Sequence, residues 1–134
     1  MNRVIVVGLG KFGRALAETL VQEGADVLAI DRDMEVVQQA SDFLPAVIQA
    51  DATDAEALAS AGVKGASAAV VAIGSDFRAA AFATSILREL GVKRITARVN
   101  SEREARILRL VGATEIVFVE QEMGRRIALS FVGR

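Results

Sequence analysis

The sequence predicts an α/β domain: a doubly wound, six-stranded parallel sheet, order 3-2-1-4-5-6, with helices on both faces. Three observations carry this. Short apolar, β-branched runs alternate along the chain with segments of helical periodicity. The first run, within "VIVVGLGKFGRAL" (4–16), breaks into Gly8, Gly10 and Gly13 and then resumes at helical spacing. No proline-rich or low-complexity linker divides the 134 residues, which therefore read as one domain.

The elements follow in order. "RVIVVG" (3–8) is apolar on both faces, as a buried parallel strand is. "KFGRALAETLVQEG" places Phe12, Leu16 and Leu20 on one helical face and stops at Gly24. "DVLAID" (26–31) is the second strand and "RDMEVVQQASDF" the second helix; "AVIQAD" (46–51), after the lone Pro45, is the third strand. A short helix, "DAEALASAG", ends at Gly62, and "AAVVAIG" (68–74) is the fourth strand. Asp76 caps the long helix "DFRAAAFATSILRELG". "RITARV" (94–99), a helix capped by Ser101, "EIVFV" (115–119) and the helix "EQEMGRRIALSFVG" complete the pattern. Right-handed βαβ units in two halves make a Rossmann-type sheet.

Composition excludes several classes. The 16 basic and 17 acidic residues give no bulk attraction to nucleic acid or an anionic membrane. Without cysteine there is neither a disulfide framework nor a cysteine metal site, and no metal ligand is assigned. The start runs directly into a strand, and no apolar run is as long as a membrane span, so a cytoplasmic domain without direct membrane insertion is expected.

Gly8, Gly10 and Gly13 form G-x-G-x-x-G between a strand and a helix. In that context the first glycine permits the turn, the second admits a pyrophosphate and the third lets helix and strand pack closely. The loop Gly8, Leu9, Gly10, Lys11, Phe12, Gly13 is the expected phosphate bed, at the positive end of a helix dipole. Asp31 ends the next strand, where a carboxylate accepts both ribose hydroxyls and repels a 2′-phosphate. Arg32 beside it either stacks on adenine, the preferred reading, or meets such a phosphate. Asp51 borders the adenine pocket or caps the following helix. Ala72, Ile73 and Gly74 lie at the switch point, where a phosphate or second ribose would rest.

Catalytic groups are scarce. His, Cys, Tyr and Trp do not occur, and the lysines are Lys11, Lys64 and Lys93. Neither a nucleophile–histidine pair nor a P-loop is present, so no catalytic residue is assigned and the pocket reads as a sensor. The alternative is the NAD-binding half of an oxidoreductase whose base lies in another domain.

The blocks "VIVVGLGKFG", "VLAIDRD", "ADATD", "VVAIG", "ITARVNSEREARIL" and "EQEMGRRIA" resemble, in order, those of the RCK N-terminal (TrkA-N) domain. This is the cytoplasmic regulatory domain of potassium channels and of Ktr and Trk potassium transporters. The resemblance covers essentially the whole chain. It implies a nucleotide-sensing domain that binds NAD/NADH or ATP/ADP and controls potassium uptake or conductance by rearranging a homodimer or larger ring. A membrane potassium transporter or channel subunit is the implied partner, holding the domain at the inner membrane. Residues 1–134 would be the single N-terminal lobe, and family members usually continue into a second, ligand-binding lobe.

By position, the resemblance puts Asp51, Ala52 and Thr53 by the adenine. Lys11 stands where ATP-binding members usually carry an arginine for the γ-phosphate, a departure that gives NAD or ADP more room. Arg98 is either a second phosphate contact or a surface ion pair with Glu102 or Glu104. Glu120 matches an acid that in some relatives approaches a divalent cation, such as magnesium, near the γ-phosphate. The preferred reading is a favourable charge at a helix N-terminus.

Two helices look too apolar for a monomer. Phe77, Ala80, Ala81, Phe82, Ala83, Ile86, Leu87 and Leu90 occupy most of one circumference. Met123, Ile127 and Phe131 line the last helix, with Ala128 and Val132 beside them. One face of each is expected on the chain's own sheet and the other in an isologous dimer. "SEREARILRLVG" reads as a solvated face, because acids interleave its arginines; no nucleic-acid partner is expected.

Overall fold

The computed structural model describes residues 3–133. The extremes of the expected domain, Met1, Asn2 and Arg134, lie outside them. Six strands alternate with six helices: β1 Arg3–Val7, α1 Lys11–Gln22, β2 Asp26–Asp31, α2 Met34–Ala40, β3 Val47–Gln49, α3 Ala55–Ser60, β4 Ala68–Val71, α4 Phe77–Glu89, β5 Arg94–Arg98, α5 Glu102–Val111, β6 Glu115–Val117 and α6 Val119–Phe131. The strands form one sheet, β3-β2-β1-β4-β5-β6, with parallel pairing throughout. This is the predicted order. The break between β1's two neighbours, β2 and β4, is the topological switch point that opens a crevice at the strands' carboxyl ends.

Alternate residues of the strands feed two cores. Ile5, Val7, Leu28, Ile30, Val71 and Ile95 face α3, α4 and α5, while Val6, Val27 and Ala29 face α1 and α2. The largest fully buried side chains include Ile5, Ile30, Leu58, Leu87, Ile95 and Leu108. Truncating one of these leucines to alanine typically costs about 2–5 kcal/mol.

The structure trims several expected boundaries. The fourth strand ends at Val71, so Ala72, Ile73 and Gly74 form a loop. The sixth ends at Val117, and Val119 already opens α6. Asp33, read as part of the second helix, instead caps it by accepting from the Glu35 N–H at 3.0 Å. Three-residue strands at both sheet edges fit edge positions, which have one partner strand rather than two.

The two apolar helices depart from expectation in opposite ways. Most of α4's apolar circumference is covered within the chain, by the sheet on one side and by α3 and α5 on its flanks. Phe82 remains half exposed. Helix α6, by contrast, buries no residue at all, so the expectation that one of its faces packs on the sheet is wrong. It follows β6, the strand at one edge of the sheet. Met123, Ile127, Leu129 and Phe131 are exposed along it, Phe131 to 84%.

Candidate nucleotide-binding site

A cavity of about 480 Å³ opens at the carboxyl ends of the strands, in the crevice at the switch point. Its floor is the loop from β1 to α1. Gly8 has φ +99°, and a Cβ there would lie 3.1 Å from the Ile73 nitrogen, so this turn needs glycine both for conformation and for space. A Cβ on Gly13 would lie 1.9 Å from the Gly8 carbonyl oxygen, so the third glycine is what lets α1 abut the turn. At Gly10 nothing stands within 4 Å of that position. The second glycine therefore leaves open space where a ligand can approach the backbone.

Helix α1 also differs from its neighbours at its start. Helices α2, α3, α4 and α5 are capped by the side chains of Asp33, Asp54, Asp76 and Ser101, whereas Gly10 offers α1 no side-chain cap. The first-turn N–H groups of α1 thus keep their donors and the positive end of the dipole for an anion.

Asp31 ties the floor to the second strand. Its Oδ2 accepts from the Leu9 N–H at 2.8 Å and its Oδ1 from the Asp33 N–H at 2.9 Å. Each carboxylate oxygen has a second lone pair, so two acceptor sites remain for the vicinal hydroxyls of a ribose. Arg32 turns across the rim and pairs with Asp76 at 3.9 Å, its side chain 75% exposed. Neither stacking nor phosphate contact is needed to explain that position. Asp51 lines the cavity but caps no helix, because Asp54 caps α3. Asp51 Oδ1 instead accepts from both the Thr53 N–H (2.9 Å) and the Thr53 hydroxyl (2.7 Å), fixing the turn that carries Ala52 and Thr53 into the wall.

The Thr53 hydroxyl is the main reason the Asp51 carboxyl sits below its ordinary value of 3.8; the Thr53 N–H adds to it, burial opposes, and Arg32 contributes least. A carboxyl lowered in the folded state stabilises the fold above 3.8 and loses that contribution as pH falls through the lowered value. Thr53→Val should therefore move the Asp51 titration midpoint upward in a carboxyl-carbon NMR titration.

Arg98 closes the far wall. Its guanidinium lies between the backbone of Gly74 and the Phe12 ring, whose centroid is 5.6 Å from Cζ. Its ion-pair partner is Glu120, on the first turn of α6, in place of the expected Glu102 or Glu104. Glu104 is engaged elsewhere, accepting from the Asn100 N–H at 2.9 Å.

Of the residues expected from sequence, Gly8, Leu9, Gly10, Asp31, Arg32, Asp51, Ala52, Thr53, Ala72, Ile73, Gly74 and Arg98 line this one cavity. Lys11, Phe12 and Gly13 do not. Lys11 is exposed on α1, Phe12 lies beside Arg98, and Gly13 is buried against Gly8. Asp33, Ser75 and Asp76 join the lining without having been expected there. Asp76 was legible only as a cap, a role it does fill by accepting from the Ala79 N–H at 3.0 Å.

The electrostatics orient a ligand. Asp31, Asp33, Asp51 and Asp76 are all among the lining residues, and their carboxylates suit neutral hydroxyls and amino groups. The α1 N-terminus and Arg98 supply positive potential for phosphates. Among the described residues, no group of three or more acidic side chains is placed to hold a metal ion.

A family model, the TrkA-N domain, matches residues 4–119. The chain belongs to the TrkA-N family. Ktr system potassium uptake protein A of Vibrio alginolyticus is 37% identical over 123 residues, covering 92% of this chain and 56% of the relative. The chain thus spans about half the length of the curated relatives it matches. Among solved structures, the RCK domain of GsuK superposes with a TM-score of 0.75 at 31% identity, covering 87% of this chain and 25% of that one. The Kef C-terminal domain of Shewanella denitrificans, in its AMP-bound form, superposes with a TM-score of 0.76 at 26% identity over 99% and 83%. Among the described residues of this TrkA-N domain, no helix is long and apolar enough to cross a membrane.

Proposed function

We propose that this TrkA-N domain is a nucleotide-sensing regulatory domain for potassium transport, and that it binds an adenine nucleotide carrying adjacent phosphates. The observation that carries this is one cavity lined by Gly10 at the uncapped start of α1, by Asp31 and by Arg98. The absence of His, Cys and Tyr from the sequence supports sensing over catalysis. The name of the Vibrio relative supports the potassium link, and the AMP-bound Kef domain supports the ligand class. Lys11 is exposed and outside the lining, which favours NAD or ADP over a triphosphate contact through this lysine.

Calorimetric titration with NADH, NAD, ADP and ATP, with and without magnesium, tests the reading. Micromolar binding of at least one is expected; failure of all four to bind would overturn it.

Residues 1–134 are then the nucleotide lobe of a cytoplasmic regulator that reaches the membrane through a transporter or channel subunit. The nucleotide must favour one arrangement of copies over another to regulate anything. We assign the contact between copies to α6, whose exposed line of Met123, Ile127 and Phe131 has no cover among the described residues, with Phe82 of α4 as a second patch. Sedimentation of the Phe131→Asp/Ile127→Asp variant should give monomers where the wild type gives dimers or larger rings. An unchanged assembly would place the interface elsewhere.

A further inference from the structure

We infer that the Arg98–Glu120 ion pair is a latch through which the phosphates of a bound nucleotide release the first turn of α6. This rests on the nucleotide reading above and adds to it a route from the cavity to the helix. Arg98 belongs to the cavity wall, yet its anionic partner belongs to α6. The side chain is only 17% exposed, and its Nε is buried with no hydrogen-bond acceptor. A buried donor without a partner is unfavourable, and a phosphate oxygen would supply what is missing. Gly74 makes the position possible: a Cβ there would stand 3.1 Å from the Arg98 Cζ and 3.2 Å from its Nε.

What holds α6 in place makes the latch consequential. No residue of the helix is fully buried; Phe118, its N-cap, packs against the core, and the first turn beyond it is tied to the cavity wall by polar contacts. Glu120 pairs with Arg98; Gln121 Nε2 donates to the Asn100 carbonyl at 3.3 Å; and Asn100 Nδ2 donates to the Gly74 carbonyl at 3.1 Å. Gly74, Arg98 and the first turn of α6 are therefore one connected cluster bordering the cavity. An anion at that wall draws on the guanidinium that holds Glu120 and also repels the Glu120 carboxylate. Binding of phosphate and attachment of α6 then oppose each other, and reciprocity requires that loosening α6 tighten the nucleotide.

The test compares wild type with Glu120→Gln, which is isosteric and replaces an exposed side chain. The probes are ADP and, as the phosphate-free control, adenosine. Calorimetry should show Glu120→Gln binding ADP about fivefold tighter, the scale of one exposed ion pair, with adenosine unchanged. Saturating ADP should speed amide hydrogen exchange over residues 122–126 in the wild type. In Glu120→Gln exchange there should already be fast and insensitive to ADP. The latch is refuted by ADP affinity that is unchanged or weaker in the variant, or by wild-type exchange that ADP leaves alone. If ADP binds the wild type, is lost in Asp31→Ala and ignores Glu120→Gln, the latch fails and the nucleotide site stands. If ADP does not bind the wild type at all, the latch falls, and the nucleotide site falls with it only when NAD, NADH and ATP fail to bind as well.

Discussion

Asp31→Ala should weaken NAD or ADP binding by at least about a hundredfold, because hydrogen bonds to a charged acceptor are each worth about 1.5–3 kcal/mol and the ribose makes two. The substitution also touches the empty fold. Asp31 accepts from the N–H groups of Leu9 and Asp33, so its carboxylate joins the glycine loop to the turn after β2. Both donors lose their acceptor in the alanine variant, and a drop in stability of about 1–3 kcal/mol should accompany the loss of binding. Asp31→Asn separates the two effects: an amide oxygen still accepts from one N–H while the charge is gone. It should retain more stability than alanine and should relax discrimination against a 2′-phosphate, which the carboxylate repels. Calorimetry with NAD and NADP, beside urea melts of all three proteins, reads each effect. Undiminished NAD affinity in Asp31→Ala would mean that the ribose does not lie at the end of β2.

The parts of this molecule that were legible in the sequence are those governed by local rules. Strand order followed from the alternation of apolar runs and helical segments, since right-handed crossovers leave few ways to arrange six parallel strands. The glycine loop and Asp31 were legible because spacing in sequence maps directly onto a turn and a strand end. Arg98 shows where this stops. Glu102 and Glu104 are near it in sequence, and charge pairing by proximity selects them; the sheet instead brings β5 beside β6, and with it Glu120 at the start of α6. Asp51 shows the same limit on a smaller scale. It stands just ahead of a helix, as a cap would, but Asp54 is at the cap position and Asp51 closes on Thr53. Helix α6 was misplaced for another reason. An apolar stripe reports that a helix needs a partner and is silent on whether that partner is its own sheet.

The glycines allow the sharpest separation of fold from function. Gly13→Ala should be among the most damaging single-methyl changes available to this chain. The added Cβ would stand 1.9 Å from the Gly8 carbonyl oxygen and 3.1 Å from the Ala72 Cβ, and the nearest obstruction is backbone, which cannot swing aside. Helix α1 must move off the end of β1, at a cost of about 3 kcal/mol, the upper range for overpacking, lowering the melting temperature by roughly 10 °C. Nucleotide binding should fall with it although Gly13 does not line the cavity, because the α1 N–H groups move with the helix. Gly10→Ala makes the opposite case. Its φ of −69° suits alanine and its Cβ would meet nothing within 4 Å, so the fold should lose little beyond the modest preference for glycine over alanine at an N-cap. That Cβ enters the space over the α1 N-terminus, and binding should drop about tenfold or more while stability stays near wild type. Thermal melts and titrations of the two variants side by side check this. If Gly10→Ala bound nucleotide normally, the phosphates would not pass over the second glycine, and the phosphate bed would have to be sought nearer Gly74 and Arg98.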